Sequence, residues 1–206
     1  MLNWIKEHFH KLHQLQLNAT VTDLAGNDIG LAAGFEHYVA NAFETRERHG
    51  KLIFIGNGGS AGIASHLAID HSKNGRLPAM AFSDASAITC LSNDYGYEHV
   101  FAKQIEYHAR KEDFLIAISS SGKSVNILNA VAAARKLGCR VMTLSGFERH
   151  NPLSKVGDVN YFVDSKEYGY VEVSHLALIH SMLDYILEVQ CQDAAKTHPT
   201  LLAAVE

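Results

Sequence analysis

Gly56-Asn57-Gly58-Gly59-Ser60 follows directly on the apolar run Leu52-Ile53-Phe54-Ile55 and precedes a stretch of helical pattern that carries His66 and Asp70 four residues apart. Small residues at such a junction let the backbone approach a ligand, and the free N–H groups opening the next helix turn their positive ends toward a phosphate or carboxylate. The segment fits neither Gly-x-x-x-x-Gly-Lys-Ser/Thr nor Gly-x-Gly-x-x-Gly, because no lysine follows and the third glycine is displaced. A second junction repeats the logic: Phe114-Leu115-Ile116-Ala117-Ile118 runs into Ser119-Ser120-Ser121-Gly122-Lys123-Ser124, ahead of an Ala-rich helical pattern from Val125 to Leu137. Hydroxyls and N–H groups then gather at a helix start, with Lys123 adding charge. Either junction alone reads equally well as a tight turn or a capped helix start. Two in one chain point to a phosphorylated small molecule held at the carboxyl ends of parallel strands.

Acid, base and metal-ligating types lie on two helical stretches. His66 and Asp70 project from one face a turn apart, a spacing that suits a shared ion, joint action on a substrate, or an ordinary surface pair. His71 and Lys73 read as solvated neighbours. On the last helix Glu172 and His180 stand two turns and roughly 12 Å apart along an ideal axis, so one ion reaches both only if the side chains lean together. His175, one turn from Glu172, reads as a supporting or structural histidine.

These residues need elements to hold them. Helical faces run over Trp4–Leu17 and Leu31–Arg48, with a polar loop expected from Asn18 to Gly30. Strands are expected at Lys51–Ile55, Ala79–Phe82, Phe114–Ile118, Val141–Ser145 and Asn160–Val163. The intervening helices fall at Ala61–Asn74, Phe101–Arg110, Val125–Leu137, briefly near Pro152, and finally at Glu172–Gln190. Asn93-Asp94-Tyr95-Gly96 reads as a substrate loop or only a turn. This βαβ rhythm predicts an α/β fold, a three-layer sandwich with a mainly parallel sheet flanked by helices. At 206 residues with 47% hydrophobic content, one well-filled domain is expected. A net charge of −4 without a Lys/Arg block argues against a nucleic-acid partner, and no stretch approaches a membrane span. Cys90, Cys139 and Cys191 lack paired spacing and are expected as reduced, mostly buried thiols of a cytoplasmic protein.

Taken together, the glycine turn, His66 with Asp70, Ser83-Asp84 ahead of Ser92-Asn93-Asp94-Tyr95-Gly96, the serine loop and the Glu172, His175, His180 series resemble the SIS (sugar isomerase) domain family, and within it the phosphoheptose isomerases. The resemblance implies interconversion of sedoheptulose 7-phosphate and glycero-manno-heptose 7-phosphate through an enediol, for lipopolysaccharide or capsule heptose. It assigns Asp70 as base, His180 as acid and Glu172 as assistant. Asn57, Gly58, Gly59, Ser60, Asp70, Asn93, Asp94, Ser119, Ser120, Ser121, Ser124 and Glu172 hold the substrate, and His66, Asp70, Glu172 and His180 hold Zn²⁺, a set of donors that suits this ion. It further implies a homotetramer built on an N-terminal helical region (1–48), an SIS domain over 49–192, and a soft tail over 193–206. The chain departs from the family at two positions, with Asp70 where Glu is usual and Glu172 where Gln is usual. The other class of function on this scaffold is non-catalytic: a sugar-phosphate sensor, or a protein-binding regulator of the replication-initiator-binding type.

Overall fold

The computed structural model describes residues 1–197, with side chains through residue 192. In chain order the elements are α1 (Leu2–Leu17), β1 (Thr20–Asp23), α2 (Gly30–Glu47), β2 (Leu52–Ile55), α3 (Gly59–Lys73), β3 (Ala79–Ala81), α4 (Ala85–Tyr95), α5 (Val100–His108), β4 (Phe114–Ser119), α6 (Val125–Leu137), β5 (Arg140–Ser145), β6 (Val159–Phe162) and α7 (Tyr168–Thr197). The six strands form one sheet in the order β1-β6-β5-β4-β2-β3, parallel except for β1, which runs antiparallel to β6.

Strand alternation divides the core into two layers. Leu52, Phe54, Phe114, Ile116, Met142 and Leu144 face α2, α3 and α7, whereas Ile53, Ile55, Leu115, Ala117 and Val141 face α4, α5 and α6. Both faces of β2 and β4 are buried, which is why these strands are continuous apolar runs. Each large apolar side chain sealed there contributes about 1.5–3 kcal/mol. The consequence for function is topological. β2 and β4 are neighbours, yet the helix after β2 covers one face and the helix after β4 covers the other. Their carboxyl ends therefore flank the crevice where the strand order reverses, the usual ligand position in an open α/β sheet.

Three local expectations are corrected. The supposed loop Asn18–Gly30 contains β1, because Thr20-Val21-Thr22 alternates and buries Val21 completely against the sheet. Ala85–Tyr95 is a helix that the turn-like Asn93-Asp94 had masked; Asp84 caps it, accepting from the Ala87 N–H at 2.9 Å. α7 begins at Tyr168 and continues to Thr197, past the expected end at Gln190 and into the tail expected over 193–206. The rest of that tail lies outside the described residues. All three cysteines are free, but only Cys139 is buried.

His71, expected in solvent, is fully buried. Its Nδ1–H donates to the Leu67 carbonyl at 2.7 Å, so Nε2 must accept from the Tyr38 hydroxyl at 2.7 Å. His175 is equally buried and donates Nε2–H to the Ser145 carbonyl at 3.1 Å. Burial drives both imidazoles down to about 4. Since unfolded histidine titrates near 6.5, the stability they carry is complete above that pH and is lost as pH falls toward about 4. We expect the denaturant midpoint to drop across this window, each histidine costing about 1.4 kcal/mol per pH unit. A midpoint that stays flat down to pH ~4.5 would show that neither imidazole is held neutral.

Candidate active site

The two glycine- and serine-rich junctions close on one cavity of about 320 Å³, whose wall includes Asn57, Gly58, Gly59, Ser60, Ser119–Ser121, Ser124, Tyr168 and Glu172. α3 and α6 begin at this cavity, one from each layer, so two helix amino termini converge where an anion would sit. Gly56 and Gly59 are required by close approach. A Cβ on Gly56 would lie 2.5 Å from the Ser60 carbonyl carbon, and one on Gly59 would lie 2.6 Å from the Glu172 carboxyl carbon.

The hydroxyls are not equivalent. Ser119 Oγ donates to Ser124 Oγ at 3.2 Å, and Ser121 Oγ accepts from the Lys123 N–H at 3.2 Å. Ser120 Oγ is buried without a protein partner. A buried hydroxyl with no partner is costly unless a ligand completes it. The Lys123 side chain, expected to add charge, is not on the cavity wall.

Asn57, on the cavity wall, also ties elements together. Its Oδ1 accepts from Asn126 Nδ2 at 2.9 Å and from the Tyr97 hydroxyl at 2.9 Å, while its Nδ2 donates to Asn126 Oδ1 at 2.9 Å. Most of its side-chain capacity is thus spent tying the glycine turn to the serine loop. Neither Asn126 nor Tyr97 was legible as a site residue, since 69 residues separate the amide partners. Tyr168 was also missed. It lines the cavity and meets Phe147 edge-on at 4.9 Å, next to the expected start of the last helix.

Farther along the groove between α3 and α7 stands a second cluster. His66 Nε2 and His180 Nε2 lie 3.3 and 3.5 Å from the same oxygen of Asp70, and the three ligand atoms fall within 4.8 Å of one another. His180 Nδ1 faces Asp184 at 3.3 Å, which selects the tautomer with hydrogen on Nδ1 and leaves Nε2 as a lone-pair donor. Two imidazoles and a carboxylate with open positions fit a divalent ion such as zinc. Glu172 is not in this trio; its carboxylate packs against Gly59 on the cavity side. Asn93 and Asp94, expected on the substrate, occupy the exposed last turn of α4, where Asn93 Nδ2 donates to Asp94 at 2.9 Å, and neither lines the cavity.

Known proteins are similar to this chain in sequence and fold. The SIS domain family matches residues 29–146. The phosphoheptose isomerase of Helicobacter pylori (strain P12) is 40% identical over 151 residues, covering 69% of this chain and 77% of that protein. The probable phosphoheptose isomerase of Thermoplasma volcanium is 31% identical over 193 residues, covering 88% and 96%. The solved structure of phosphoheptose isomerase GmhA from Neisseria gonorrhoeae superposes with a TM-score of 0.76 at 30% identity, over 90% of this chain and 98% of that one. With its switch-point cavity and glycine and serine junctions, the chain belongs to the SIS domain family and, within it, to the phosphoheptose isomerases, a family of isomerase enzymes.

Proposed function

We propose that the protein interconverts sedoheptulose 7-phosphate and glycero-manno-heptose 7-phosphate. The carrying observation is the cavity walled by the glycine turn and the serine loop and fed by two helix amino termini, a site suited to a phosphate dianion. Chain length then separates phosphate from chemistry. In a heptulose 7-phosphate the reacting carbons lie five or six C–C bonds of about 1.5 Å from the phosphorylated carbon, so the reaction centre stands roughly 9 Å from the phosphorus. From Ser60 to His66 the rise of α3 is about 9 Å. A phosphate in the cradle thus directs the carbonyl end of the sugar toward the His66, Asp70, His180 cluster.

Isomerisation requires a base for the proton beside the carbonyl, return of that proton to the neighbouring carbon, and an acid for the oxygens. Asp70 takes the carbon-bound proton, and His180, when protonated at Nε2, gives that proton to the oxygen while Asp184 holds its Nδ1–H. Glu172, on the cavity wall, is the second carboxylate, placed to complement an Asp one methylene shorter than the Glu usual at position 70. His66, Asp70 and His180 would instead hold zinc when it is bound, and it would supply polarisation of the carbonyl in place of the His180 proton, leaving the second Asp70 oxygen to take the proton from carbon.

The assembly proposed is a homotetramer in the cytoplasm, serving heptose for lipopolysaccharide or capsule. α1 supports it: none of its residues is buried, and Trp4 and Phe9 are 65% and 62% exposed. No helix among the described residues is long and apolar enough to cross a membrane. Light scattering at micromolar concentration should give four chains, and a monomer would remove the assembly. The activity is tested by NMR on ketose phosphates of five to seven carbons, where the seven-carbon substrate should yield a new aldose signal. Elemental analysis should find zinc in the wild type and little in Asp70→Asn. Sugar phosphates that raise the melting temperature without turnover would overturn the enzyme in favour of a sensor.

A further inference from the structure

We propose that the chain carries a second anion site, at the amino-terminal end of the sheet, for a small molecule bearing two or more linked phosphates. A cavity of about 510 Å³ opens there, on the opposite side of β2 and β4 from the substrate cradle, and its wall carries Arg46, His49, Lys51, Arg76, Arg110 and Asp113. The single carboxylate on this wall is already spent. Asp113 is buried, pairs with Lys51 Nζ at 2.7 Å, and accepts from the Lys51 and Arg110 N–H groups at 2.9 and 2.8 Å. Lys51 is spent with it, its ammonium also reaching the His108 carbonyl at 2.7 Å. Among the described residues Arg46, Arg76 and Arg110 enter no ion pair. Three arginines without a carboxylate partner and a histidine therefore line one concavity in a chain of net charge −4, the Arg46 guanidinium also lying 5.0 Å over the Phe43 ring. Guanidinium forks match phosphate oxygens in pairs, and a cavity of about 510 Å³ with arginines spread around its wall has room for more than one phosphate.

Two of the wall residues are set by helix ends. His49 and Arg76 have φ of 58° and 52°, the left-handed region, at the ends of α2 and α3. That position after a helix favours glycine, and Gly50 follows one of these residues while Gly75 precedes the other. Cations near helix carboxyl termini offset the dipole wherever they stand in the last turn. The left-handed turn at His49 belongs to the helix stop itself, in which the Gly50 N–H donates to the Thr45 carbonyl at 2.8 Å, and both residues stand on the cavity wall.

The test uses the full chain with pyrophosphate and ATP as probes, and orthophosphate and a short DNA duplex for comparison. Calorimetry on wild type should show pyrophosphate binding that persists in Gly56→Ala, which disables only the substrate cradle. The affinity should fall about tenfold or more in Arg76→Gly and in Arg110→Ala. Arg76→Gly should also melt at or above the wild-type temperature, since glycine relieves the left-handed residue, so the lost binding cannot be ascribed to unfolding. Binding unchanged in both arginine variants, absence of binding by pyrophosphate and ATP alike, or a DNA duplex bound as tightly as pyrophosphate would each overturn the proposal.

Discussion

Replacing His180 by Gln lowers turnover about 100-fold or more and leaves thermal stability nearly unchanged. Gln keeps the length and one donor of the side chain but loses the titratable nitrogen, and positioned acid–base groups typically contribute at this level. Stability is spared because the His180 side chain is 40% exposed and its partners Asp70 and Asp184 lie on the surface groove, not in the core. The matched control is His175→Gln, one and a half turns earlier on the same helix. That residue is fully buried, so its replacement should lower the melting temperature without a comparable loss per folded molecule. Steady-state rates on the heptulose phosphate, beside melting curves of both variants, decide the matter. An untouched rate in His180→Gln would place the chemistry on other residues.

Gly56→Ala should abolish the phosphate cradle. Its Cβ would meet the Ser60 carbonyl carbon and oxygen at 2.5 Å, backbone atoms that cannot turn aside, so the whole junction must shift. Loss of two or more hydrogen bonds to a charged phosphate, each worth about 1.5–3 kcal/mol, weakens sugar-phosphate affinity by at least about 100-fold. Gly59→Ala offers the contrast. There the obstacle is the end of the Glu172 side chain, which can rotate away, so phosphate affinity should largely survive while turnover falls. The thermal shift given by sugar phosphate reads the first effect and kcat the second. Normal affinity in Gly56→Ala would mean that the turn is not the phosphate cradle.

The sequence was most readable where one element decides the outcome. β2 and β4 announced themselves as apolar runs because both faces are covered, and the glycine and serine junctions followed them directly. The trio of His66, Asp70 and His180 was readable as candidates, two of them through helical spacing. Reading failed where partners are distant or signals short. Nothing local distinguishes buried His71 from a solvated histidine; its fate depends on Tyr38, 33 residues earlier. The four residues of β1 are too few to outweigh the polar stretch around them, although their Thr-Val-Thr alternation was visible. Asn93 and Asp94 looked like a turn by composition, yet the cap at Asp84 carries α4 through them. Glu172 shows the limit of helix arithmetic: two turns from His180, it meets the cradle and not the trio of His66, Asp70 and His180.

The paired amides of Asn57 and Asn126 bind the turn that opens α3 in one layer to the first turn of α6 in the other, across 69 residues of chain. Neither half of the cradle is therefore rigid until both layers have docked on the sheet. A partly folded chain with one layer loosened retains its strands but has no competent phosphate site. Ligand binding then selects the fully assembled state rather than a local loop conformation, and its stabilisation spreads to slow hydrogen exchange in α3 and α6 together. In a cell this makes the substrate a folding partner, because sugar phosphate protects the whole domain against proteolysis of its partially opened forms.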